Sequence, residues 1–397
     1  MEIDVKKAVK IIVAGLVAVS LSSCSWISDY FDSPDNTEPP AELVEFTPDV
    51  DIVERWYLDV DEGSKNLNLQ VALSDTTAYV IDSKGLLSAI DPEKGNALWS
   101  RKTAVKVRSG PVYDAGVIYL GTRDAELVAV TADKVKDGNG VLWRTSLSSE
   151  VLALPTVTDD KVIVRMSDGR ITAVSKVDGR HIWSFQRRQP LLTLRGVSRP
   201  LVNGNQVLVG LDDGHMVSLA EDTGQVIWDK AVAVPRGTTE LQRIVDLDAN
   251  PVIDQGSLFV ASYSGKLAAL SVDSGQPLWS RDLSIHSGIA ISGSHVVVVD
   301  QNDAIWAIDR RTGASYWKQD MLRARRLGAP IIVGDYVLVA DLEGYVHAFN
   351  IKDGHLSDRK QIDESGIVSM RVMSDERFIV LGHSGEVTML GFLKDSR

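Results

Sequence analysis

A tryptophan recurs in this sequence at a fixed distance from a small residue. In five pairs the small residue precedes the tryptophan by ten positions: Ala89/Trp99, Ala173/Trp183, Ser218/Trp228, Ala269/Trp279 and Ala307/Trp317. Turn residues recur in the same register, 38 to 51 positions apart: Gly85, Ala125, Gly169, Gly214, Gly265, Asp303, Gly344 and Gly385. A period of roughly 20 to 50 residues that persists along a chain is the signature of a repeat architecture.

Each repeat contains short runs of β-branched residues separated by turns. In the third repeat, residues 161–165 and 170–174 flank a Ser-Asp-Gly turn, and a second turn precedes residues 181–183. Such runs between Asp-Gly and Ser-Gly turns predict antiparallel strands. Four-stranded units at this spacing predict a β-propeller, in which neighbouring blades pack against each other. We therefore expect the tryptophans to be packing residues rather than ligands.

The last repeat lacks a fourth strand. Residues 367–392 supply three strands, whereas residues 51–57 form a lone strand with Trp56, which lies 43 positions before Trp99. A lone strand docked on the last blade would close the ring and remove its open edges. The sequence thus predicts an all-β fold, an eight-bladed β-propeller of four-stranded antiparallel blades over residues 51–397. Its last blade is closed by the N-terminal strand.

The first 24 residues predict a cleaved signal with a lipid attachment site. Lysines precede an apolar run at residues 11–21, which is too short to span a bilayer. The following Leu-Ser-Ser-Cys24 resembles the lipobox of bacterial lipoproteins, which implies that residues 1–23 are removed and that Cys24 is acylated. The alternative is a secretory signal that contains a cysteine by chance.

The residues that follow the cysteine predict a membrane-anchored tether. Under the lipoprotein sorting rule, an aspartate directly after the cysteine favours retention in the inner membrane. This chain has Ser25 there, which implies the outer membrane. More than one acyl chain gives stable anchoring. Residues 24–50 are rich in Asp, Glu and Pro and show no sustained period, so we predict a flexible acidic tether.

Composition excludes several classes of function. A net charge of −12 repels the phosphate backbone of nucleic acid. A single cysteine forms neither an intramolecular disulfide nor a CxxC zinc site. The seven histidines show no HxH or HExxH spacing, and the sequence contains neither a G-x-S-x-G elbow nor a phosphate loop. We therefore predict no catalytic residue, no metal and no cofactor.

Two connections between blades are longer than the others. We measure each connection from the tryptophan to the proline that opens the next blade. In three repeats this distance is 12 or 13 positions, but it is 17 from Trp183 to Pro200 and 23 from Trp228 to Pro251. Insertions in a repeat protein map to loops, and loops carry recognition. We expect a binding face where these neighbouring connections meet.

Both connections carry candidate binding residues. Leu192, Leu194 and Arg195 combine apolar anchors with a guanidinium group, which is typical of an interaction hot spot. Asp246 and Asp248 alternate with apolar residues, so their carboxylates point the same way if this segment is extended. Alternatively, the aspartates form a solvated edge or a cap, and Arg195 forms an internal ion pair with one of them.

The pattern Gly-x-Leu-x-Ala-Leu-Asp-x-x-x-Gly-x-x-x-Trp resembles the pyrroloquinoline-quinone-type propeller repeat over nearly all of residues 52–393. That family includes dehydrogenases, whose quinone lies on the propeller axis against a vicinal disulfide and a bound calcium ion. A chain with one cysteine cannot form this disulfide. We therefore expect a protein that is not an enzyme. A quinone-dependent dehydrogenase-like or sugar-binding propeller is the alternative.

The lipobox, the eight blades and the segments LLTLRG and TTELQRIVDLDANP together resemble the BamB family, the lipoproteins of the outer-membrane β-barrel assembly machine. The resemblance implies a non-catalytic scaffold, lipid-anchored in the outer membrane and facing the periplasm. It further implies binding to the POTRA domains of BamA, indirect contact with other subunits of the machine, and help in folding outer-membrane proteins. Exposed blade edges also suggest that nascent strands of these proteins pair with them by β-augmentation. The contact positions of the family fall on Leu192, Leu194, Arg195, Asp246 and Asp248.

Overall fold

The strands of the computed structural model form eight sheets, which are the blades of a propeller. The structure describes residues 38–60, 67–194, 198–263 and 265–394. Cys24 and Arg195 lie outside the described residues. Ala41–Arg397 form one compact unit. The prediction of an eight-bladed all-β propeller is confirmed.

The described residues contain thirty-three strands. The first eighteen are β1 (Val50–Asp59), β2 (Asn68–Leu69), β3 (Ala72–Leu73), β4 (Ala78–Ile81), β5 (Leu86–Ile90), β6 (Ala97–Lys102), β7 (Val107–Asp114), β8 (Val117–Thr122), β9 (Glu126–Thr131), β10 (Val141–Ser146), β11 (Thr156–Val157), β12 (Lys161–Arg165), β13 (Ile171–Ser175), β14 (His181–Phe185), β15 (Leu201–Asn203), β16 (Gln206–Gly210), β17 (His215–Ala220) and β18 (Val226–Ala231).

The remaining fifteen strands follow a short 3₁₀ helix at Leu241–Arg243. They are β19 (Val252–Asp254), β20 (Ser257–Ser262), β21 (Lys266–Ser271), β22 (Pro277–Arg281), β23 (Ile285–Ser292), β24 (His295–Asp300), β25 (Ile305–Asp309), β26 (Ser315–Gln319), β27 (Ile331–Val333), β28 (Tyr336–Ala340), β29 (Tyr345–Asn350), β30 (Leu356–Gln361), β31 (Ile367–Ser374), β32 (Arg377–Gly382) and β33 (Glu386–Lys394). Among the described residues, no helix is long or apolar enough to cross a membrane.

Each blade is an antiparallel sheet of consecutive strands, except the last. Strands β3 to β30 form blades 1 to 7 in groups of four, and the short β2 adds to blade 2 as a parallel neighbour of β7. Blade 8 has the order β1-β33-β32-β31. Strand β1 pairs antiparallel with β33, from Val50 opposite Lys394 to Asp59 opposite Glu386. The predicted closure of the last blade by the N-terminal strand is therefore confirmed.

The hydrophobic core lies between neighbouring blades. The two middle strands of each blade are buried along most of their length, as in β12 and β13 of blade 3. Their side chains join those of the next blade. Ile163, Ala173 and Trp183 of blade 3, for example, share one buried cluster with Val207 and Leu219 of blade 4. A single blade could not bury both of its faces, so each one depends on its neighbours.

The repeated tryptophans connect each blade to the next. The indole N–H of six of them donates a hydrogen bond of 2.7–3.3 Å to a backbone carbonyl of the following blade: Trp56 to Pro92, Trp143 to Lys176, Trp183 to Glu221, Trp228 to Val272, Trp279 to Arg310 and Trp317 to Ile351. The receiving turn also carries a glycine. At Gly354, with φ +74°, a Cβ atom would lie 2.6 Å from the Trp317 ring. The predicted packing role of these tryptophans is confirmed.

Blade 7 carries Asp358 where the repeat has tryptophan. The Asp358 carboxylate is buried and accepts a hydrogen bond from the backbone N–H of Ile52 on β1. The departure from the repeat thus preserves the connection between blades 7 and 8. The direction of the bond is reversed, because here the side chain accepts and the neighbouring backbone donates.

Residues 41–49 are held against blade 7. The N–H of Ala41 donates to the carbonyl of Arg323 (2.9 Å), and the N–H of Asp49 donates to the carbonyl of Ser357 on β30 (3.1 Å). Leu43 and Phe46 pack against the buried cluster between blades 6 and 7. The prediction of a flexible tether reaching residue 50 was therefore wrong for residues 41–49, because their apolar side chains are partly buried. Residues 24–37 lie outside the described residues.

Candidate functional site

The two long connections meet at one end of blades 3 to 5. Residues 186–200 join blade 3 to blade 4, and residues 232–251 join blade 4 to blade 5. The N–H of Leu194 donates to the carboxylate of Asp246 (2.6 Å), and the N–H of Arg199 donates to the side-chain oxygen of Asn250 (2.9 Å). The predicted adjacency of the two connections is confirmed. We call this surface the loop face.

The apolar candidates on the first connection are exposed. Leu192 and Leu194 keep 43% and 41% of their accessible surface, and their neighbour Leu191 keeps 92%. The backbone bond from Leu194 to the buried Asp246 holds the connection next to these leucines, and their side chains remain exposed. Arg195 lies outside the described residues, and its proposed role remains a prediction.

The acidic candidates lie beneath the loop face. Asp246 has no accessible surface and Asp248 is partly buried, so the alternative of a solvated carboxylate edge is wrong for Asp246. Carboxylate oxygens of Asp246, Asp248 and Asp212 lie within 4.8 Å of one another, so these side chains converge. Burial, together with the charges of Asp248 and Asp212, raises the pKa of Asp246 to about 7. Burial likewise raises the pKa of Asp248 to about 6, with Asp212 adding to the shift.

A buried ion pair that the sequence analysis missed supports these aspartates. Asp212 accepts hydrogen bonds from the guanidinium of Arg165 on blade 3 and, at 2.7 Å, from the side-chain amide of Gln189 on the first connection. In other blades an aspartate caps the turn, as Asp82 does for the N–H of Leu86, but Leu211 occupies that repeat position in blade 4 and Asp212 follows it. The sequence shows an aspartate in this turn. It does not show that Asp212 bonds to the loop instead of its turn.

A groove of about 300 Å³ runs beside the exposed leucines. Its lining includes Leu191, Leu192 and Pro235, with Arg188 and Arg243 among its charged residues. Leu241 and Val234, which the sequence analysis did not select, are 69% and 62% exposed on the second connection. In the sequence they are single apolar residues within a polar loop, and such a pattern does not indicate whether a side chain is exposed or buried.

The site does not suit the cofactor of the quinone dehydrogenases. The chain has one cysteine, so the vicinal disulfide of those enzymes cannot form. The converging carboxylates of the loop face are not a free ligand set, because both oxygens of Asp212 are already engaged by Arg165 and Gln189. Exposed leucines on an ordered loop, supported by a buried polar network, suit protein recognition instead. Fold and site together define a propeller of the protein-interaction class.

Comparison with known proteins specifies the family. Residues 83–319 match the family model described as "Outer membrane protein assembly factor BamB". The chain is 31% identical over 392 residues to the protein of that name from Yersinia pestis, covering 95% of this chain and 98% of the relative. The chain therefore belongs to the BamB family, and the expectation that it is not an enzyme agrees with this membership.

Solved structures support the same assignment. The crystal structure of BamB from Moraxella catarrhalis matches with a TM-score of 0.77 at 26% identity and covers 86% of this chain and 99% of that one. A quinohemoprotein alcohol dehydrogenase from Comamonas testosteroni matches with a TM-score of 0.67 at 14% identity, covering 86% of this chain and 76% of the enzyme. This second likeness shows a shared propeller fold.

Proposed function

We propose that this protein is a scaffold subunit of the outer-membrane β-barrel assembly machine and binds the POTRA domains of BamA through its loop face. The observation that carries the proposal is the exposure of Leu192 and Leu194 on a connection that the buried Asp246 holds in place. The name that the relatives carry, outer membrane protein assembly factor, supports the assembly role. Binding to the other subunits is indirect and passes through BamA.

The candidate residues divide into contact and positioning roles. Leu192 and Leu194 insert into the partner. Asp246, which has no accessible surface, positions the backbone of Leu194. Asp248 has an oxygen that accepts no hydrogen bond from the described residues. It serves either Arg195 or a basic group of the partner, because a charge-assisted hydrogen bond is the strongest contact open to a partly buried carboxylate.

The proposal includes attachment to the outer membrane. The lipobox motif and Ser25 support acylation of Cys24 and an orientation towards the periplasm, and outer-membrane association agrees with the name of the relatives. In this proposal the acyl chains keep the propeller at the membrane where barrel assembly takes place. Cys24→Ser should leave the protein soluble or unprocessed. Recovery of palmitate-labelled variant in the outer membrane would contradict the anchor.

Nascent outer-membrane protein strands form a second class of proposed partner. The supporting observation is that the chain already covers one blade edge with its own extended segment, since Asp49 donates its N–H to Ser357 at the edge strand of blade 7. An exposed edge strand can accept an extended segment of another chain in the same way.

The test of BamA binding compares two pairs of exposed apolar residues. Leu192→Ala with Leu194→Ala should abolish copurification with BamA from detergent-solubilised outer membrane, because loss of a hot-spot side chain costs about 2 kcal/mol or more of binding free energy. Leu98→Ala with Leu142→Ala is the matched control, since these residues are 45% and 54% exposed on blades 1 and 2. Equal copurification of both variants would place the BamA contact elsewhere.

A further inference from the structure

The loop face carries further exposed apolar side chains beside Leu192 and Leu194. Leu191, Val234 and Leu241 keep 92%, 62% and 69% of their accessible surface on the same two connections. Exposed aliphatic side chains in one patch mark an interaction site rather than ordinary surface. The apolar surface is therefore wider than the pair that the family resemblance points to.

Three arginines border this apolar surface. Arg188, Arg236 and Arg243 are exposed on the two connections, and none forms an ion pair with a carboxylate of the described residues. Their neighbour Arg187, in contrast, bonds to Asp213 (2.6 Å) and to Asp229 (2.5 Å). These three arginines are thus free to meet carboxylates of a partner, in a chain whose net charge is −12.

The groove between the connections is lined by charges of both signs. Arg188 and Arg243 line it together with two carboxylates, Asp213 and Glu240. Asp213 bonds to Arg187, which it shares with Asp229, whereas Arg188 and Arg243 form no ion pair with a carboxylate of the described residues and remain available to a partner. Arg236 follows Pro235, which also lines the groove. The groove is thus the place where an acidic partner would be attracted to an otherwise acidic protein.

We infer that this groove receives an acidic, apolar segment of the partner, in which an aliphatic or aromatic side chain enters beside Leu191 and Pro235 and flanking carboxylates pair with Arg188 and Arg243. This inference rests on the proposed function and specifies the chemistry of the partner surface. Arginine suits this role because its planar guanidinium binds a carboxylate through two hydrogen bonds. Arginine is also enriched at protein interfaces, whereas lysine and acidic residues are depleted.

The electrostatics also predict how binding responds to salt. Complementary charges at an interface accelerate association and fix the orientation of the partners. Exposed charges are screened at high ionic strength, where the Debye length falls to about 3 Å at 1 M salt. Association of the two proteins should therefore slow as salt is added, and the slowing should depend on Arg188 and Arg243.

The experiment measures binding of the purified full-length protein to purified BamA in detergent, at low and high salt, for matched charge variants. Arg188→Glu with Arg243→Glu should lower the association rate at low salt by about tenfold or more and remove most of its salt dependence. Arg188→Lys with Arg243→Lys should retain most of the rate, because charge is preserved. Arg311→Glu with Lys352→Glu is the control, since it makes the same change of charge at exposed turns of blades 6 and 7.

The outcomes separate this inference from the proposed function. If the Arg188/Arg243 reversal binds like the control while Leu192→Ala with Leu194→Ala loses binding, the loop face is the BamA site but its groove does not receive an acidic segment. If both variants bind normally, the proposed binding face itself is wrong. Faster association of the reversal variant would overturn the inference by showing a basic partner surface. Thermal melting of each variant confirms that the propeller is intact.

Discussion

At the residue scale, buried aspartates build the loop face. Asp246 and Asp248 approach each other and Asp212 in an environment shielded from water, and one oxygen of each of the first two accepts no hydrogen bond from the described residues. Burying a carboxylate costs free energy unless it is paired or protonated. Their raised pKa values express this cost. The loop face is thus held by two carboxyl groups, Asp246 and Asp248, whose pKa values are about 7 and about 6.

This cost predicts a pH dependence of stability. A carboxyl group whose pKa is raised by folding stabilises the folded state at low pH, and this stability is lost as pH rises through the folded pKa. Because the pKa of Asp246 is about 7 in the folded protein, the loss falls between about pH 4 and 7. Over that range the carboxyl group of Asp246 should by itself lower the free energy of unfolding by at most about 1.4 kcal/mol per pH unit. Asp246→Asn carries no charge there, so its free energy of unfolding should vary less with pH than that of the wild type.

Denaturant unfolding at a series of pH values measures this difference. Asp273→Asn, at an exposed position on blade 5, is the matched control and should follow the wild type. If the wild type and Asp246→Asn show parallel pH profiles, the carboxyl group of Asp246 is not strained by burial in the folded protein.

At the element scale, the N-terminal segment has two parts with different roles. Strand β1 completes blade 8, and its Trp56 connects that blade to blade 1. Residues 41–49 cover the edge of blade 7, where Arg359 lies over the Phe46 ring, 5.4 Å from its centroid, and Asp49 bonds to the imidazole of His355 (2.8 Å). Blade 7 differs from its neighbours in just this region, since Leu356, Ser357 and Asp358 are all buried.

Three deletions separate these roles. Removing residues 50–59 should lower the melting temperature by about 10 °C or more, because it exposes β33 and the buried faces of blades 8 and 1. Removing residues 41–49 should have a smaller effect, from partly buried Leu43 and Phe46. Removing residues 25–37 should leave the melting curve unchanged. Equal melting of the first and third variants would contradict the closure of the ring by β1.

At the scale of the whole molecule, the repeat produces a belt of apolar residues around the rim. In six blades the residue before the inter-blade tryptophan is 41–56% exposed: Leu98, Leu142, Ile182, Ile227, Leu278 and Tyr316. Ser357 occupies the matching position of blade 7, where residues 41–49 cover the edge. Blade 8 carries the exposed Arg55 at this position, so the apolar belt is confined to blades 1 to 6.

The belt predicts where unfolded outer-membrane proteins would bind. Ile227→Ser with Leu278→Ser should weaken binding of an unfolded β-barrel protein several-fold. Each substitution removes apolar contact with the strand that the unfolded protein adds to a blade edge. BamA copurification should remain, since the belt is separate from the loop face. A photo-crosslinking residue at position 278 should capture the unfolded protein, and one at the exposed position 177 should not. Equal crosslinking at both positions would rule out a specific rim site.

The architecture of this protein could be read from its sequence alone. The tryptophan spacing, the turn residues and the unpaired strand with Trp56 predicted eight blades and their closure, because in a repeat protein each unit contacts only its neighbours and local pattern therefore specifies the global fold. The lengths of the connections also located the loop face, since an insertion is visible in sequence as a departure from the period.

Which side chains are exposed and which are buried became clear only from the tertiary structure. Asp246 and Asp248 looked alike in sequence, but the fold buries Asp246 completely and bonds it to Leu194. Asp212 lies one position after the turn-capping site of its repeat, and it pairs with Arg165 of the neighbouring blade. Residues 41–49 were acidic enough to suggest a tether, and partners more than 270 positions away hold them in place. Burial and pairing of this kind depend on chain segments that are distant in sequence, so a local sequence pattern cannot predict them.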